Sequence, residues 1–187
     1  MPETIIDKLY SDNAAILKYL LDAKEISMYS DLDDKLKKVL VMSAASFFET
    51  ELKTIIEGFV SQAAKENAAV LALVRNKALE RQFHTFFQWN QRNANVFFSI
   101  FGEVFSSNCK ADVKADKSLN DAVGAFLELG ETRNQLAHLN FGAFPVEKTS
   151  AEIYDLYRTA QMFVEYIRKK LIDENGKPPA TAPVPLA

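Results

Sequence analysis

The segment DDKLKKVLVMSAASFFETELKTIIEGFVSQAA, residues 33–64, determines the predicted fold class. Its apolar side chains recur three and four residues apart, which is the spacing of one face of an α-helix. The opposite face is polar and carries charged side chains such as Lys37 and Glu57. The segment contains one glycine and no proline, so little in it would interrupt a helix. We therefore predict a long amphipathic helix over residues 33–64.

The same apolar spacing recurs in the rest of the chain, where proline and glycine are rare. We predict further helices over residues 5–23 (with a break at 11–13 left open), 68–81, 93–105, 118–139 and 150–175. Ser118 is predicted to be an N-cap, and Thr149 and Glu152 are predicted to form a capping box. Residues 110–117 are expected to form a charged loop. The expected fold class is all-α, an antiparallel helical bundle of about five to six helices.

The composition predicts one folded domain followed by a short tail. Residues 1–175 have ordinary globular composition and are numerous enough to bury a single core. Residues 176–187 hold four of the six prolines and are predicted to form a flexible tail. No run reaches about 18 uncharged apolar residues, so no membrane span is expected. Residues 1–10 do not resemble a signal peptide, which favours a cytoplasmic location.

Charge and composition exclude several classes of protein and site. The formal net charge of -3 argues against a strongly basic nucleic-acid coat protein, although it is compatible with a local basic cleft. The single cysteine, Cys109, excludes an intramolecular disulfide framework and a zinc site built on several thiolates. The two histidines, His84 and His138, are too few for a histidine-rich metal site. We therefore expect no cofactor and no metal ion.

The segment LELGETRNQLAHLNF, residues 127–141, carries the candidate chemistry. The apolar face of the predicted helix consists of Leu119, Val123, Phe126, Gly130 and Ala137. Arg133 falls at one edge of that face. Asn134 and His138 are four residues apart and therefore stack at its other edge. Gly130 is expected to leave room there for another backbone or a ligand.

An arginine and a histidine in this position suit the cleavage of an RNA phosphodiester. An arginine at the edge of an apolar face is costly unless it is paired or binds an anion, and its guanidinium matches a phosphate. An imidazole can accept and donate protons near neutral pH. One group can activate the 2′-hydroxyl while another stabilises charge on the phosphate. The residues therefore support a ribonuclease hypothesis.

The sequence RNQLAH, residues 133–138, resembles the Arg-x4-His motif of the HEPN superfamily, including the polar residue that this family favours after the arginine. The segment AASFFETELK, residues 44–53, is similar to the helix that precedes the motif in many HEPN nucleases. The resemblance covers most of residues 33–171 and includes the place of the motif in the penultimate long helix. The RiboL-PSP type of HEPN domain is the candidate subfamily.

The resemblance implies a metal-independent endoribonuclease that works as a homodimer on an RNA substrate, with the active site formed between two motif helices. In that case His138 is the acid/base, Arg133 binds and polarises the phosphate, and Asn134 orients His138 or the RNA. Attack by the 2′-hydroxyl would leave a 2′,3′-cyclic phosphate and a 5′-hydroxyl. Many members of the family act as toxins or in antiviral defence, so a regulatory protein or antitoxin is a possible partner.

Four further residues are weaker candidates for RNA contact: Glu49, Lys53, Arg81 and Arg92. Glu49 and Lys53 are four residues apart and could equally form an ordinary ion pair on a solvated face. Arg81 and Arg92 belong to a basic stretch with interleaved aromatic residues, which could stack on bases. Such aromatic side chains are more often part of a core. His84, in the same stretch, is interpreted as structural.

Two alternatives to an active nuclease remain open. Arg133, Asn134 and His138 could form a structural polar cluster that caps the helix or closes a dimer. The protein would then be a catalytically inactive HEPN-like module that binds RNA, nucleotide or a protein partner. A purely structural helical adaptor would account for the aromatic core but not for Arg133 on the apolar edge.

Overall fold

The structure is a computed structural model that describes residues 3–173, apart from the side chain of Arg81. The predicted tail, residues 176–187, and the predicted end of the last helix near residue 175 lie outside the described residues. In the described part all regular structure is helical, with no strand. The all-α prediction is therefore confirmed.

The α-helices are α1 (Ile5–Asp22), α2 (Ile26–Ala63), α3 (Ala68–Val74), α4 (Glu80–Gln82), α5 (Asn95–Ser99), α6 (Glu103–Ala115), α7 (Lys117–His138) and α8 (Ser150–Arg168). A π-helical turn, Arg75–Leu79, joins α3 to the single turn α4, and a 3₁₀ turn, Phe83–Thr85, follows α4. A second π-helical turn, Lys169–Asp173, extends α8. The motif lies at the end of α7, the penultimate long helix.

One predicted helix boundary is confirmed, one is wrong, and the break that was left open in the first helix is absent. Thr149 and Glu152 form the predicted capping box, in which the Glu152 backbone N–H donates to Thr149 Oγ1 over 3.2 Å. The N-cap of α7 is Asp116 rather than Ser118, because Asp116 Oδ1 accepts from the backbone N–H groups of Ser118 and Leu119 at 2.8 and 3.2 Å. Helix α1 runs through residues 11–13 without a break.

The chain between α2 and α7 differs most from the prediction. The predicted helix over residues 93–105 is divided, because α5 ends at Ser99 and Gly102, with a φ of 94°, turns the chain into α6. A positive φ of this kind favours glycine. The predicted loop over residues 110–117 is wrong, since most of it belongs to α6. Helix α2 also begins earlier than predicted, at Ile26.

Aromatic side chains fix how α2, α7 and α8 pack together. The Phe126 ring of α7 lies 5.8 Å from the Phe48 ring of α2 and 5.0 Å from the Phe163 ring of α8. All three rings are buried, and each buried phenylalanine contributes on the order of 1.5–3 kcal/mol of burial free energy. The contact between Phe126 and Phe48 sets the position of α7 along the axis of α2 and so brings the motif beside Glu49.

Asp7 connects α1 to α8 through hydrogen bonds with two side chains of α8. Asp7 Oδ1 accepts from the Tyr154 hydroxyl over 2.7 Å and from Arg158 Nη1 over 3.3 Å, and Asp7 Oδ2 accepts from the Thr4 backbone N–H over 2.7 Å. Burial by itself raises the pKa of the Asp7 carboxyl. The hydrogen bonds from Tyr154, Thr4 and Arg158 outweigh it and lower the pKa from 3.8 to about 2.

We expect Asp7→Asn to reduce the free energy of unfolding at pH 7 by about 2 kcal/mol, since a lowered folded-state pKa stabilises the fold when the carboxyl is ionised. In the wild type this contribution is complete above a pH of about 4 and is lost as the pH falls through about 2. Urea unfolding between pH 7 and pH 2 measures it. An equally steep loss of stability between pH 4 and pH 2 in the variant would contradict the assignment to Asp7.

Candidate active site

The last two turns of α7 carry the predicted motif residues. The most buried line of this helix runs through Ala122, Leu129 and Leu136, each seven residues from the next. Leu119, Val123, Phe126 and Gly130 of the predicted apolar face are buried as well, whereas Ala137, the fifth residue of that face, is exposed. Arg133 lies beside the buried line with its side chain 34% exposed, whereas His138 at the helix end is exposed. The motif therefore lies where the buried surface meets solvent.

Arg133, Asn134 and His138 line one cavity of about 510 Å³. Glu49 of α2 and Gly130 of α7 line it too. The other lining residues are Ala45, Phe48, Glu80, Phe83, His84, Trp89 and Phe126. The cavity thus has an aromatic interior and a polar edge that contains two carboxylates, two imidazoles and one guanidinium. An apolar cavity with a few convergent polar groups is the usual form of a ligand site.

Glu49 and Asn134 hold the Arg133 guanidinium in the cavity. Arg133 Nη1 donates to Asn134 Oδ1 over 3.1 Å, and Arg133 Nη2 lies 3.8 Å from Glu49 Oε2. The other oxygen of Glu49 accepts from Lys53 Nζ over 2.5 Å. Because Lys53 already neutralises part of the charge on Glu49, the guanidinium retains donors and positive charge that a phosphate could use.

The space that the sequence predicted beside Gly130 is filled by Trp89. A Cβ atom built on Gly130 would lie 2.0 Å from Trp89 Cζ3. Trp89 Nε1 also donates to the backbone carbonyl of His84 over 3.0 Å. The expectation that this notch admits a ligand or another backbone is wrong, because the indole ring occupies it. Gly130 instead lets the Trp89 ring pack against α7, where both residues line the cavity.

Three of the four weaker candidates for RNA contact are not among the residues that line the cavity. Lys53 pairs with Glu49 and lies 5.4 Å from the centroid of the Phe83 ring, but it is not among the residues that line the cavity. Arg92 is exposed and also lies outside that lining, and the side chain of Arg81 is outside what the structure describes. RNA contact by these three residues stays a prediction.

The aromatic residues of the basic stretch are largely part of the core. The Phe87 ring stacks on Phe97 at 4.7 Å and packs against Phe126 at 4.9 Å, and Phe86 is buried as well. These two rings cannot offer a face to a base, so the core alternative holds for them. Trp89 is only partly buried and lines the cavity.

The sequence did not predict that His84, Glu80 and Trp89 belong to the site. Their contribution depends on the turn over Phe83–Thr85 folding back against α7, which no local pattern signals. One compositional signal was present: the chain has two histidines and one tryptophan, and all three line this cavity.

Two further findings concern the described residues as a whole. Within residues 3–173, no helix is long and apolar enough to cross a bilayer. In the same range, no three or more His, Cys, Asp or Glu residues are grouped as a metal-binding set.

Comparison with known proteins identifies the family. A family model described as RiboL-PSP-HEPN matches residues 7–173. That range contains α2, α7 and the segment between them, and therefore every residue that lines the cavity. No match was found among curated proteins, and none among solved structures. The chain therefore belongs to the RiboL-PSP-HEPN family of the HEPN superfamily, as the Arg-x4-His motif predicted.

Proposed function

We propose that this protein is a metal-independent endoribonuclease. The observation that carries the proposal is that Arg133, Asn134 and His138 of the family motif converge with Glu49 on a single cavity. A guanidinium and an imidazole at one apolar-walled site are the groups needed to bind a phosphate and move protons beside it. Membership of an HEPN family supports an RNA-related role.

In the proposed reaction His138 accepts the proton of a ribose 2′-hydroxyl. The 2′-oxygen then forms a bond to the adjacent phosphorus, and the bond from phosphorus to the 5′-oxygen of the next nucleotide breaks. Arg133 stabilises the charge that develops on the phosphate oxygens. Asn134 and Glu49 position Arg133 through the contacts described above. The protonated His138 then gives its proton to the departing 5′-oxygen, so the products carry a 2′,3′-cyclic phosphate and a 5′-hydroxyl.

A homodimer is part of the proposal. Two apolar side chains just after the motif are exposed, Leu139 at 56% and Phe141 at 43%. The segment that holds them is anchored, because the buried Lys38 donates to the Gly142 carbonyl over 3.2 Å and lies 5.9 Å from the Phe141 ring centroid. Anchored apolar side chains next to His138 support a contact with a second copy, in which two cavities would form one cleft.

We expect Leu139→Asp to weaken this dimer by tenfold or more in dissociation constant, since it would bury a carboxylate at the interface. Analytical ultracentrifugation over a range of concentrations measures the change. Val104→Asp is the matched control, because Val104 is an exposed apolar residue of α6 at 77% exposure. Equal dissociation constants for the two variants would place the dimer contact elsewhere.

The proposed biological setting follows from the activity. An enzyme that cuts RNA inside a cell has to be restrained, and we propose a cytoplasmic toxin or antiviral-defence role with a regulatory protein or antitoxin as its partner. The alternative is a catalytically inactive HEPN module that binds RNA, nucleotide or protein through the same cavity.

The decisive experiment is to incubate the purified protein with total cellular RNA in EDTA and to analyse the product ends. We expect cleavage with 2′,3′-cyclic phosphate ends and no loss of rate in the chelator, because the proposed chemistry uses only protein side chains. Cleavage that stops in EDTA would reject the mechanism. RNA binding without cleavage by the folded dimer would favour the inactive module.

A further inference from the structure

The two histidines of this chain lie far apart in sequence but line the same cavity. His138 ends α7, whereas His84 lies in the 3₁₀ turn Phe83–Thr85. Both residues are exposed, so neither is a buried core histidine held for packing. The proposed mechanism uses only His138, so the imidazole of His84 has no role in it.

A short series of contacts fixes the His84 turn against the motif helix. The indole of Trp89 donates to the His84 carbonyl over 3.0 Å. The same ring occupies the notch at Gly130 and lies 5.9 Å from the Phe126 ring and 4.9 Å from the Phe87 ring. Gly130 precedes Arg133 by about one helical turn and His138 by about two. The backbone that carries His84 is therefore held at a defined place relative to the motif, as a catalytic group requires.

Cleavage of RNA by its own 2′-hydroxyl needs two proton transfers. A base has to take the proton of the 2′-hydroxyl, and an acid has to give a proton to the departing 5′-oxygen. In a homodimer the second group could be the partner's His138. The structure offers another candidate inside a single cavity.

We propose that His84 and His138 form an acid–base pair within one subunit, an inference that rests on the proposed nuclease function. His138 accepts the 2′-hydroxyl proton while the bond from the 2′-oxygen to phosphorus forms. The bond from phosphorus to the 5′-oxygen breaks, and the other histidine, in its imidazolium form, donates its proton to that oxygen. Both proton transfers are thereby accounted for without a further co-reactant, and the cyclic phosphate product is unchanged.

The charged groups that line the cavity are compatible with acid–base catalysis by His84 and His138. Those that line the cavity with the two histidines are Glu49, Glu80 and Arg133. Glu49 contacts Arg133 and is neutralised in part by Lys53. Glu80 lies one turn before His84 in the chain, on the same wall. A cavity of about 510 Å³ is large enough to hold one nucleotide with its phosphate between the two walls.

The test is the single-turnover cleavage of a short RNA by His84→Gln from pH 5 to pH 9. We expect the rate at neutral pH to fall about 100-fold or more, with KM changed little. The wild-type profile should be bell-shaped, and the variant should lose one of its two limbs. Gln88→Ala, an exposed change in the same segment, is the matched control and should keep both limbs. Equal melting temperatures for the variants and the wild type would exclude unfolding as the cause.

A second substrate identifies the acid of the pair. Replacing the bridging 5′-oxygen at the cleavage site by sulfur makes a leaving group that departs without protonation. We expect this substrate to restore the rate of His84→Gln, which lacks the acid, and not that of His138→Gln, which lacks the base. A His84→Gln enzyme that keeps both limbs and a near-wild-type rate would overturn the pair while leaving the nuclease function intact. A wild type that cleaves neither substrate would overturn the nuclease function and the pair with it.

Discussion

His138→Ala should abolish RNA cleavage while the protein keeps its fold. General acid–base groups contribute about 10²–10⁴-fold to a rate, so the residual activity should fall to the detection limit of most assays. The stability should change by less than about 0.5 kcal/mol, because His138 is exposed at the end of α7 and fills no core position. Cleavage assays and urea unfolding on the same preparation measure both quantities.

The matched control for His138→Ala is Gln135→Ala. Gln135 is exposed in the last turn of the same helix but does not line the cavity. It should leave the rate within about twofold of the wild type, since surface changes away from a site have small effects. If His138→Ala lost stability and activity in the same proportion, the polar cluster at the end of α7 would be structural rather than catalytic.

The main helices could be predicted because their signals are local. The apolar spacing over residues 33–64 and the capping box at Thr149 depend on residues only a few positions apart. The division at Gly102 could not be predicted in the same way, because the aromatic residues on both sides favour burial equally in one helix or in two. The start of α7 was misplaced because Asp116 and Ser118 are both good N-caps and only the folded chain shows which one accepts the hydrogen bonds.

The candidate site was predictable to the extent that it lies on one helix. Arg133, Asn134 and His138 share the last turns of α7, so helical geometry alone places them at the border of one buried face. Glu49 was a weaker candidate because it lies on another helix. The axial position of α2 relative to α7 depends on the packing of Phe48 against Phe126, which the sequence alone does not show. Residue spacing could not identify His84, since its place depends on a contact between Trp89 and Gly130 across an irregular segment.

Gly130→Ala should displace the Trp89 ring and thereby disturb the candidate active site. The new methyl group would lie 2.0 Å from Trp89 Cζ3, whereas carbon atoms in contact are about 3.5–4.0 Å apart, so the indole has to move. Overpacking of this kind costs about 1–3 kcal/mol and outweighs the gain in helix propensity of about 1 kcal/mol. Movement of the ring would also release its hydrogen bond to His84 and widen one wall of the cavity. We therefore expect lower stability together with a loss of cleavage of at least tenfold.

Gly124→Ala separates the effect of this contact from the effect of removing a glycine. Gly124 lies in the same helix, and nothing comes within 4 Å of the position that its Cβ would take. The change should therefore stabilise the protein by about 0.5–1 kcal/mol and leave cleavage unaltered. Urea unfolding gives the two stabilities, and the emission of Trp89, the one tryptophan of the chain, reports directly on the ring beside Gly130. If both variants were stabilised equally and kept the wild-type emission, Trp89 would not occupy the notch. The proposed link from Trp89 to His84 would then lose its structural basis.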